Sequence, residues 1–138
     1  MVLCSDVAVQ IYAHLSWTTI DRHPMIGETE RDFLRRFLPT RAHRHGARVL
    51  ALGIVSDHLH LVLEIPGEFN VPKMVQSMKG ASARVANRDP DVSKTGLRWA
   101  RGYDFRSVSP KALKRAVAYV NGQGSRHPDA VISTKARG

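Results

Sequence analysis

The chain has 138 residues, which suits one domain with a single hydrophobic core and leaves too little for two. Its formal net charge of +9 comes from Lys and Arg spread along the whole chain, a pattern that favours a polyanionic partner such as nucleic acid. Cys4 is the only cysteine, which excludes an internal disulfide and a multi-cysteine zinc site. We expect one domain over residues 1–138, with a poorly ordered polar tail from about residue 124.

No segment is apolar enough to cross a membrane. The longest apolar stretch, residues 49–55, is far short of the roughly 20 residues that a membrane span requires. The N-terminus has no basic region followed by an apolar block, so we expect no secretory signal. We therefore expect a soluble, cytoplasmic protein with no membrane partner.

The first half of the chain predicts a strand, a helix and a hairpin. Apolar and polar residues alternate over residues 7–18, which indicates a strand. Thr29 is a plausible N-cap of a helix that ends before Gly46 and that Pro39 should kink or split. Two β-rich runs follow, residues 47–55 and 58–65, and the two residues between them predict an antiparallel hairpin.

The second half predicts a helix, a strand and an appended helix. Pro72 opens a helix over residues 72–88, residues 101–109 alternate weakly as a fourth strand, and Pro110 opens a last helix through residue 123. The order strand, helix, strand, strand, helix, strand is the ferredoxin-like βαββαβ arrangement. We predict an α+β fold with one antiparallel sheet and an added C-terminal helix.

His58 and His60 stand one residue apart in the predicted third strand and therefore share a face. The odd-numbered positions 59–65 are apolar and should form the core stripe of the opposite face. Two neutral imidazoles on one face can converge on a metal ion. Short motifs of this kind also arise by chance, so packing stays the alternative for this pair.

Tyr119 and Gln123 lie four residues apart and so share one face of the last helix. They sit about a quarter-turn from an apolar line made by Leu113, Ala116, Val117 and Val120. If that line packs on the sheet, Tyr119 reaches the histidines from the rim, and the amide oxygen of Gln123 offers a harder ligand that suits Mg²⁺ or Mn²⁺. An ordinary amphipathic rim residue is the alternative for Tyr119.

These residues carry a family resemblance. "SDHLHLVLE" resembles the His, bulky apolar, His motif of HUH enzymes, and "YVNGQ" resembles the Tyr-x-x-x-Gln helix of single-tyrosine transposases of bacterial insertion sequences, including those associated with repetitive extragenic palindromes. "AHLSWTTIDRH", "VQSMKGASAR" and "LRWARGYDFRSVS" resemble further blocks of the same family, in its order and spacing. The resemblance covers about nine tenths of the chain.

The resemblance implies a metal-dependent DNA transposase or recombinase. His58, His60 and Gln123 would hold Mg²⁺ or Mn²⁺ at a phosphate of single-stranded DNA near a hairpin end, and the catalytic Tyr119 would form a 5′-phosphotyrosine link. It further implies a cytoplasmic, nucleoid-associated protein. Family members are often homodimers that share sites between subunits, so a homodimer is expected and a monomer is the alternative. Glycines at 122 and 124 place Gln123 on a weak helix end.

Basic and aromatic side chains predict the path of the DNA. The predicted contacts are Lys73, Lys79 and Arg84 on the second helix, Arg98, Arg101, Tyr103 and Arg106 in and before the fourth strand, and Lys111, Lys114 and Arg115 near Tyr119. Trp99 is expected to be buried. Of the remaining polar residues, we expect Asp57 to cap the hairpin turn. His14 either lines the site or satisfies a hydrogen bond in the core, and we favour the second role.

Two other functional classes remain open from the sequence. A non-catalytic module that binds single-stranded DNA or RNA would keep the sheet and the basic surface. A small metal hydrolase would use the two histidines but leaves the charge and Tyr119 unexplained.

Overall fold

The computed structural model describes residues 10–122 of the chain. The predictions for residues 7–9, for Gln123 and for the tail lie outside this range. The elements are β1 (Ile11–Thr18), α1 (Glu28–Arg44), β2 (Arg48–Ile54), β3 (His58–Ile65), α2 (Val71–Asn87), β4 (Asp104–Val108) and α3 (Leu113–Asn121), with 3₁₀ turns at Ile20–Arg22 and Pro110–Ala112. None of these helices combines the length and apolar character needed to cross a membrane.

The four strands form one antiparallel sheet in the order β2-β3-β1-β4. This is the order of the ferredoxin-like arrangement, so the predicted fold and its added C-terminal helix are confirmed. β1 and β3 lie at the centre, with Ser16 opposite His60 and Thr18 opposite His58. The two histidines predicted to bind metal therefore lie on a strand that is hydrogen-bonded to a neighbour on each side.

One face of the sheet carries the main core. Its apolar stripe comes from alternate residues of the two central strands, and α1 and α2 cover it. The stripe consists of Ala13, Leu15 and Trp17 on β1 and Leu59, Leu61, Leu63 and Ile65 on β3, all buried. The predicted alternation of both strands is therefore confirmed.

The other face carries α3. Val120 is fully buried against Val62 of β3 and Ala51 of β2, and the rest of the predicted apolar line packs around them. The helix is short, and Ser109 caps the 3₁₀ turn that precedes it by accepting a hydrogen bond from the Ala112 N–H. Its apolar line thus docks on the sheet as predicted and presents Tyr119 at the edge of the contact.

The structure corrects the predicted N-cap of α1 and one of the two outcomes predicted at Pro39. The N-cap is Gly27, whose N–H donates to Glu30 Oε1 at 3.2 Å, and Thr29 instead donates to the Val92 carbonyl. The helix also runs through Pro39, so the predicted split is wrong, while the predicted kink stays a prediction. The missing N–H at Pro39 leaves the carbonyl of Arg35 without its helical partner, and Arg35 is an exposed residue, so water can take that place.

The remaining boundaries differ by small amounts from the predicted ones. α2 begins one residue early because Asn70 accepts from the Lys73 N–H and so caps it. β4 begins at Asp104 rather than residue 101. The segment before it is held by Lys79, whose ammonium donates to the carbonyls of Ala100 and Gly102 at 2.7 Å each.

Candidate active site

His58, His60 and Tyr119 come together on the face of the sheet that α3 covers. The ring centroids of His58 and His60 are 5.2 Å apart, and those of His60 and Tyr119 are 6.1 Å apart. Strand alternation places the two histidines, and the docking of α3 places the phenol against them. All three line one cavity of about 220 Å³.

His58 is held by Asp57. The Nδ1 atom of His58 lies 2.6 Å from Asp57 Oδ1, and an ionised carboxylate can only accept, so Nδ1–H is the donor. The unprotonated nitrogen of the neutral ring is then Nε2. The carboxylate that we expected to cap the hairpin turn therefore also contacts the first histidine of the motif and orients its ring.

His60 is held by His14 from the neighbouring strand. Nδ1 of His60 lies 2.7 Å from Nε2 of His14, and the two rings stack at 4.8 Å. Burial lowers the pKa of His14, with Arg106 acting in the same direction and Asp104 opposing it, so a neutral His14 can accept this hydrogen bond. His14 therefore lies at the site and not in the core, contrary to the expectation from sequence.

The two described histidines fit the first ligands of a divalent metal site. Histidines that bind metals commonly donate the second ring N–H to a carboxylate or another acceptor, which fixes the tautomer and the ring orientation. Here Asp57 and His14 occupy the Nδ1 side of the two rings. Within residues 10–122 no group of three His, Cys, Asp or Glu side chains has a metal-binding arrangement. The predicted third ligand, Gln123, is beyond the last described residue.

A 3₁₀ turn brings Arg22 to the same cavity. Its Nε lies 3.7 Å from Asp57 Oδ2, and it lines the cavity together with the two histidines and Tyr119. Arg22 could not be placed from the sequence, because no periodic pattern predicts where an irregular turn points a side chain.

Tyr119 also lines a second, larger cavity of about 700 Å³. Its other walls come from β4, the turn before α3 and α3 itself, and its polar residues besides Tyr119 are His14, Ser107, Ser109 and Arg115. The phenol therefore belongs to two cavities, a small one at the histidines and a larger, mostly apolar one along α3.

The predicted DNA contacts divide into groups by position. Four predicted cations lie on β4, in the turn before α3 and on α3, on the Tyr119 side of the sheet, and all are exposed: Arg106, Lys111, Lys114 and Arg115. Arg98, Arg101 and Tyr103 are exposed in the segment before β4, where Trp99 packs against the core and is half-buried. Lys73, Lys79 and Arg84 belong to α2, on the opposite side of the sheet. No observation tests these contacts, and they stay predictions.

Lys79 has a structural role whatever else it contacts. Its ammonium donates to two backbone carbonyls of the segment that carries Arg98, Arg101 and Tyr103, and burial lowers its pKa. Trp99 is fixed beside it, since its Nε1–H donates to Ser82 Oγ at 3.0 Å.

Comparisons with known proteins agree with this arrangement. A family model described as "Transposase IS200 like" matches residues 7–123. The ISDra2 transposase TnpA of Deinococcus radiodurans is 28% identical over 118 residues, which span 83% of this chain and 84% of the relative.

Two solved structures share the fold. A candidate transposase from Deinococcus radiodurans R1 superposes with a TM-score of 0.65 at 28% identity, over 85% of this chain and 93% of the other. A REP-associated tyrosine transposase bound to a REP hairpin gives a TM-score of 0.69 at 14% identity, over 95% and 81% of the two chains. The second likeness, at this identity, concerns the fold alone.

Proposed function

The chain belongs to the IS200-like transposase family, and we propose that it cuts and rejoins single-stranded DNA near hairpin ends through a covalent bond to Tyr119. The observation that carries the proposal is the contact of the Tyr119 ring with His60, beside His58, around one small cavity. The REP-associated relative is bound to a DNA hairpin, which supports the choice of substrate.

In the proposed step the phenol oxygen of Tyr119 forms a bond to phosphorus while the bond from phosphorus to the 3′ oxygen breaks. The phenol gives up its proton, the 3′ oxygen gains one, and the products are a 5′-phosphotyrosine and a free 3′-OH. Attack by a 3′-OH on the phosphotyrosine reverses the step and joins strands. One ester replaces another in each direction, so no ATP is required.

A neutral phenol is a weak nucleophile, so the site must supply assistance. His58 and His60, with Gln123, would hold Mg²⁺ or Mn²⁺, and such an ion supplies positive charge at the phosphate when it is bound. The chain's own contribution is the orientation of the two rings by Asp57 and His14. The described ligands and Tyr119 all come from one chain, and a homodimer stays a prediction.

The charge around Tyr119 suits a DNA strand. Arg115 lies one helical turn before Tyr119 and lines the larger cavity, and Lys111 and Lys114 are exposed on the same short helical segment. We propose that these cations hold the backbone on either side of the attacked phosphate, while the apolar wall of the larger cavity accommodates unpaired bases.

The test is a covalent-adduct assay. The protein is incubated with a pool of labelled single-stranded hairpin DNAs, with and without EDTA, and separated on a denaturing gel. We expect an adduct that requires metal and is absent from Tyr119→Phe. Tyr12→Phe, which removes a half-buried phenol on the same face of β1, is the matched control and should form the adduct.

The same assay discriminates the non-catalytic alternative. A protein that binds the hairpins in a salt-sensitive manner but forms no adduct under any metal condition would be a binding module, and the proposed reaction would be wrong.

A further inference from the structure

The turn after β1 has an unusual backbone. Asp21 and Arg22 both adopt the left-handed conformation, with φ of 51° and 54°, although neither is a glycine. Left-handed geometry is tolerated by Asp but is uncommon for a long side chain such as Arg. Strained residues of this kind persist only where the surrounding structure imposes them, and they cluster at functional sites.

Thr19 imposes this conformation. It is fully buried, its hydroxyl donates to the His23 carbonyl at 2.6 Å, and its N–H donates to the Asp57 carbonyl at 2.9 Å. The Ile20 N–H donates to the Arg98 carbonyl at 3.0 Å. Hydrogen bonds therefore hold the turn closed and tie it to the loop that precedes His58. This arrangement places Arg22 at the cavity.

The contacts of the Arg22 side chain with the rest of the protein are too weak to explain why its backbone is held in a left-handed conformation. Its Nη2 lies 3.4 Å from His58 Nδ1, but that nitrogen already donates to Asp57, so two donors face each other and form no hydrogen bond. The ion pair with Asp57 is 3.7 Å long, and the Arg22 side chain is 59% exposed. Ion pairs of this length and exposure contribute little to stability.

We propose that Arg22 is a further catalytic residue, whose guanidinium donates hydrogen bonds to a non-bridging oxygen of the phosphate that Tyr119 attacks. The proposal rests on the proposed function. Arg22 lines the cavity shared by His58, His60 and Tyr119. A planar guanidinium matches two phosphate oxygens and keeps its charge at any physiological pH. It remains protonated throughout and opposes the negative charge that builds on the oxygens as the phenol bonds to phosphorus.

The competing explanation is that Arg22 only positions Asp57 and, through it, His58. The two roles differ in their dependence on the charge of the substrate. A contact between Arg22 and the phosphate speeds the reaction when the attacked group carries a negative non-bridging oxygen. It should have little effect on the rate when a neutral methyl group replaces that oxygen. A positioning role affects both substrates alike.

The experiment compares adduct formation on a phosphodiester and on a methylphosphonate placed at the step that the wild-type protein cleaves. Arg22→Ala should slow the reaction on the phosphodiester by about a hundredfold, the effect of removing one transition-state donor. Arg22→Lys should recover part of the rate. On the methylphosphonate, wild type and Arg22→Ala should differ by less than about threefold. Arg36→Ala, which removes an exposed α1 cation, is the matched control for lost charge.

Each other outcome overturns the proposal in a distinguishable way. Equal rates for wild type and Arg22→Ala on the phosphodiester would show that Arg22 has no role, with the proposed function intact. Equal losses on both substrates would make Arg22 a positioning residue. A wild-type protein that forms no adduct would contradict the proposed function and this assignment with it. Thermal unfolding of Arg22→Ala within a few degrees of wild type shows that a lost rate is not a lost fold.

Discussion

The face of the sheet under α1 and α2 is apolar along the whole of β1 and β3, whereas on the α3 face of these strands only Val62 joins the apolar contact and the histidines and other polar residues make up most of the rest. On β3, Leu61 is fully buried in the main core, while its neighbour His60 points the other way and contacts His14 and Tyr119. The first face holds the sheet together and the second, covered by one short helix, leaves room for a ligand. Of two adjacent residues on one strand, Leu61 thus serves stability and His60 serves the proposed chemistry.

The largest effect on the proposed chemistry, with little effect on stability, is expected when the His60 side chain is removed. His60→Ala should reduce metal-dependent adduct formation by about a thousandfold, the equivalent of roughly 4 kcal/mol in the barrier, because it removes a proposed metal ligand beside the phenol. The free energy of unfolding without metal should change by only about 1 kcal/mol, since one hydrogen bond to His14 is lost. Adduct formation within a few fold of wild type would contradict the metal site.

The reverse pattern is expected one residue along the strand. Leu61→Ala should lower the free energy of unfolding by about 2–5 kcal/mol, because it leaves a cavity in the main core. The rate of adduct formation per folded molecule should stay near that of wild type. Urea unfolding and the adduct assay below the unfolding transition measure the two quantities. A large loss of rate in a folded Leu61→Ala protein would show that the two faces are not separable.

A smaller effect is expected for the residue that orients His58. Asp57→Asn should weaken Mn²⁺ binding by about 10–100-fold, because the amide no longer accepts the Nδ1–H with a full negative charge. Isothermal titration calorimetry of the metal measures this loss. Glu68→Gln removes an exposed carboxylate outside the site and should bind Mn²⁺ as wild type does. Equal affinities for Asp57→Asn and wild type would show that the pair does not tune the site.

The smallest effect concerns the helical side of the molecule. Lys79→Met removes two hydrogen bonds to the segment before β4 and should destabilise the protein by about 1 kcal/mol, with faster amide exchange in residues 98–103. Lys73→Met, at an exposed position of the same helix, should change stability by less than about 0.5 kcal/mol. If both variants behave alike, the interpretation of Lys79 as a structural tie is wrong.

Periodicity predicted the parts of the structure that follow from regular geometry. Strand alternation placed His58 and His60 on one face and Leu59 and Leu61 on the other, and the spacing of α3 placed Tyr119 at the rim of its contact. The same alternation could have placed His14, because it shares a face with Ser16 and Thr18, which pair with His60 and His58.

The roles of the residues in turns and at long-range hydrogen bonds could not be predicted from the sequence. Asp57 precedes β3, so strand alternation says nothing about its side chain, and Arg22 reaches the cavity only through a left-handed turn that no pattern predicts. Lys79 lies on a polar helix face, where a tie to backbone carbonyls and a contact with DNA look the same in sequence. Residues held by turns and by long-range hydrogen bonds require the folded structure.

The measurement that tests the central claim most directly is the mapping of the covalent adduct by mass spectrometry. After reaction with hairpin DNA, nuclease trimming and trypsin digestion, cleavage after Arg115 and Arg126 gives a peptide of residues 116–126, in which Tyr119 is the only tyrosine. We predict a nucleotide joined through its 5′ phosphate to this peptide. An adduct on a peptide that carries Tyr12 or Tyr103, or cleaved DNA with no protein attached, would contradict the account.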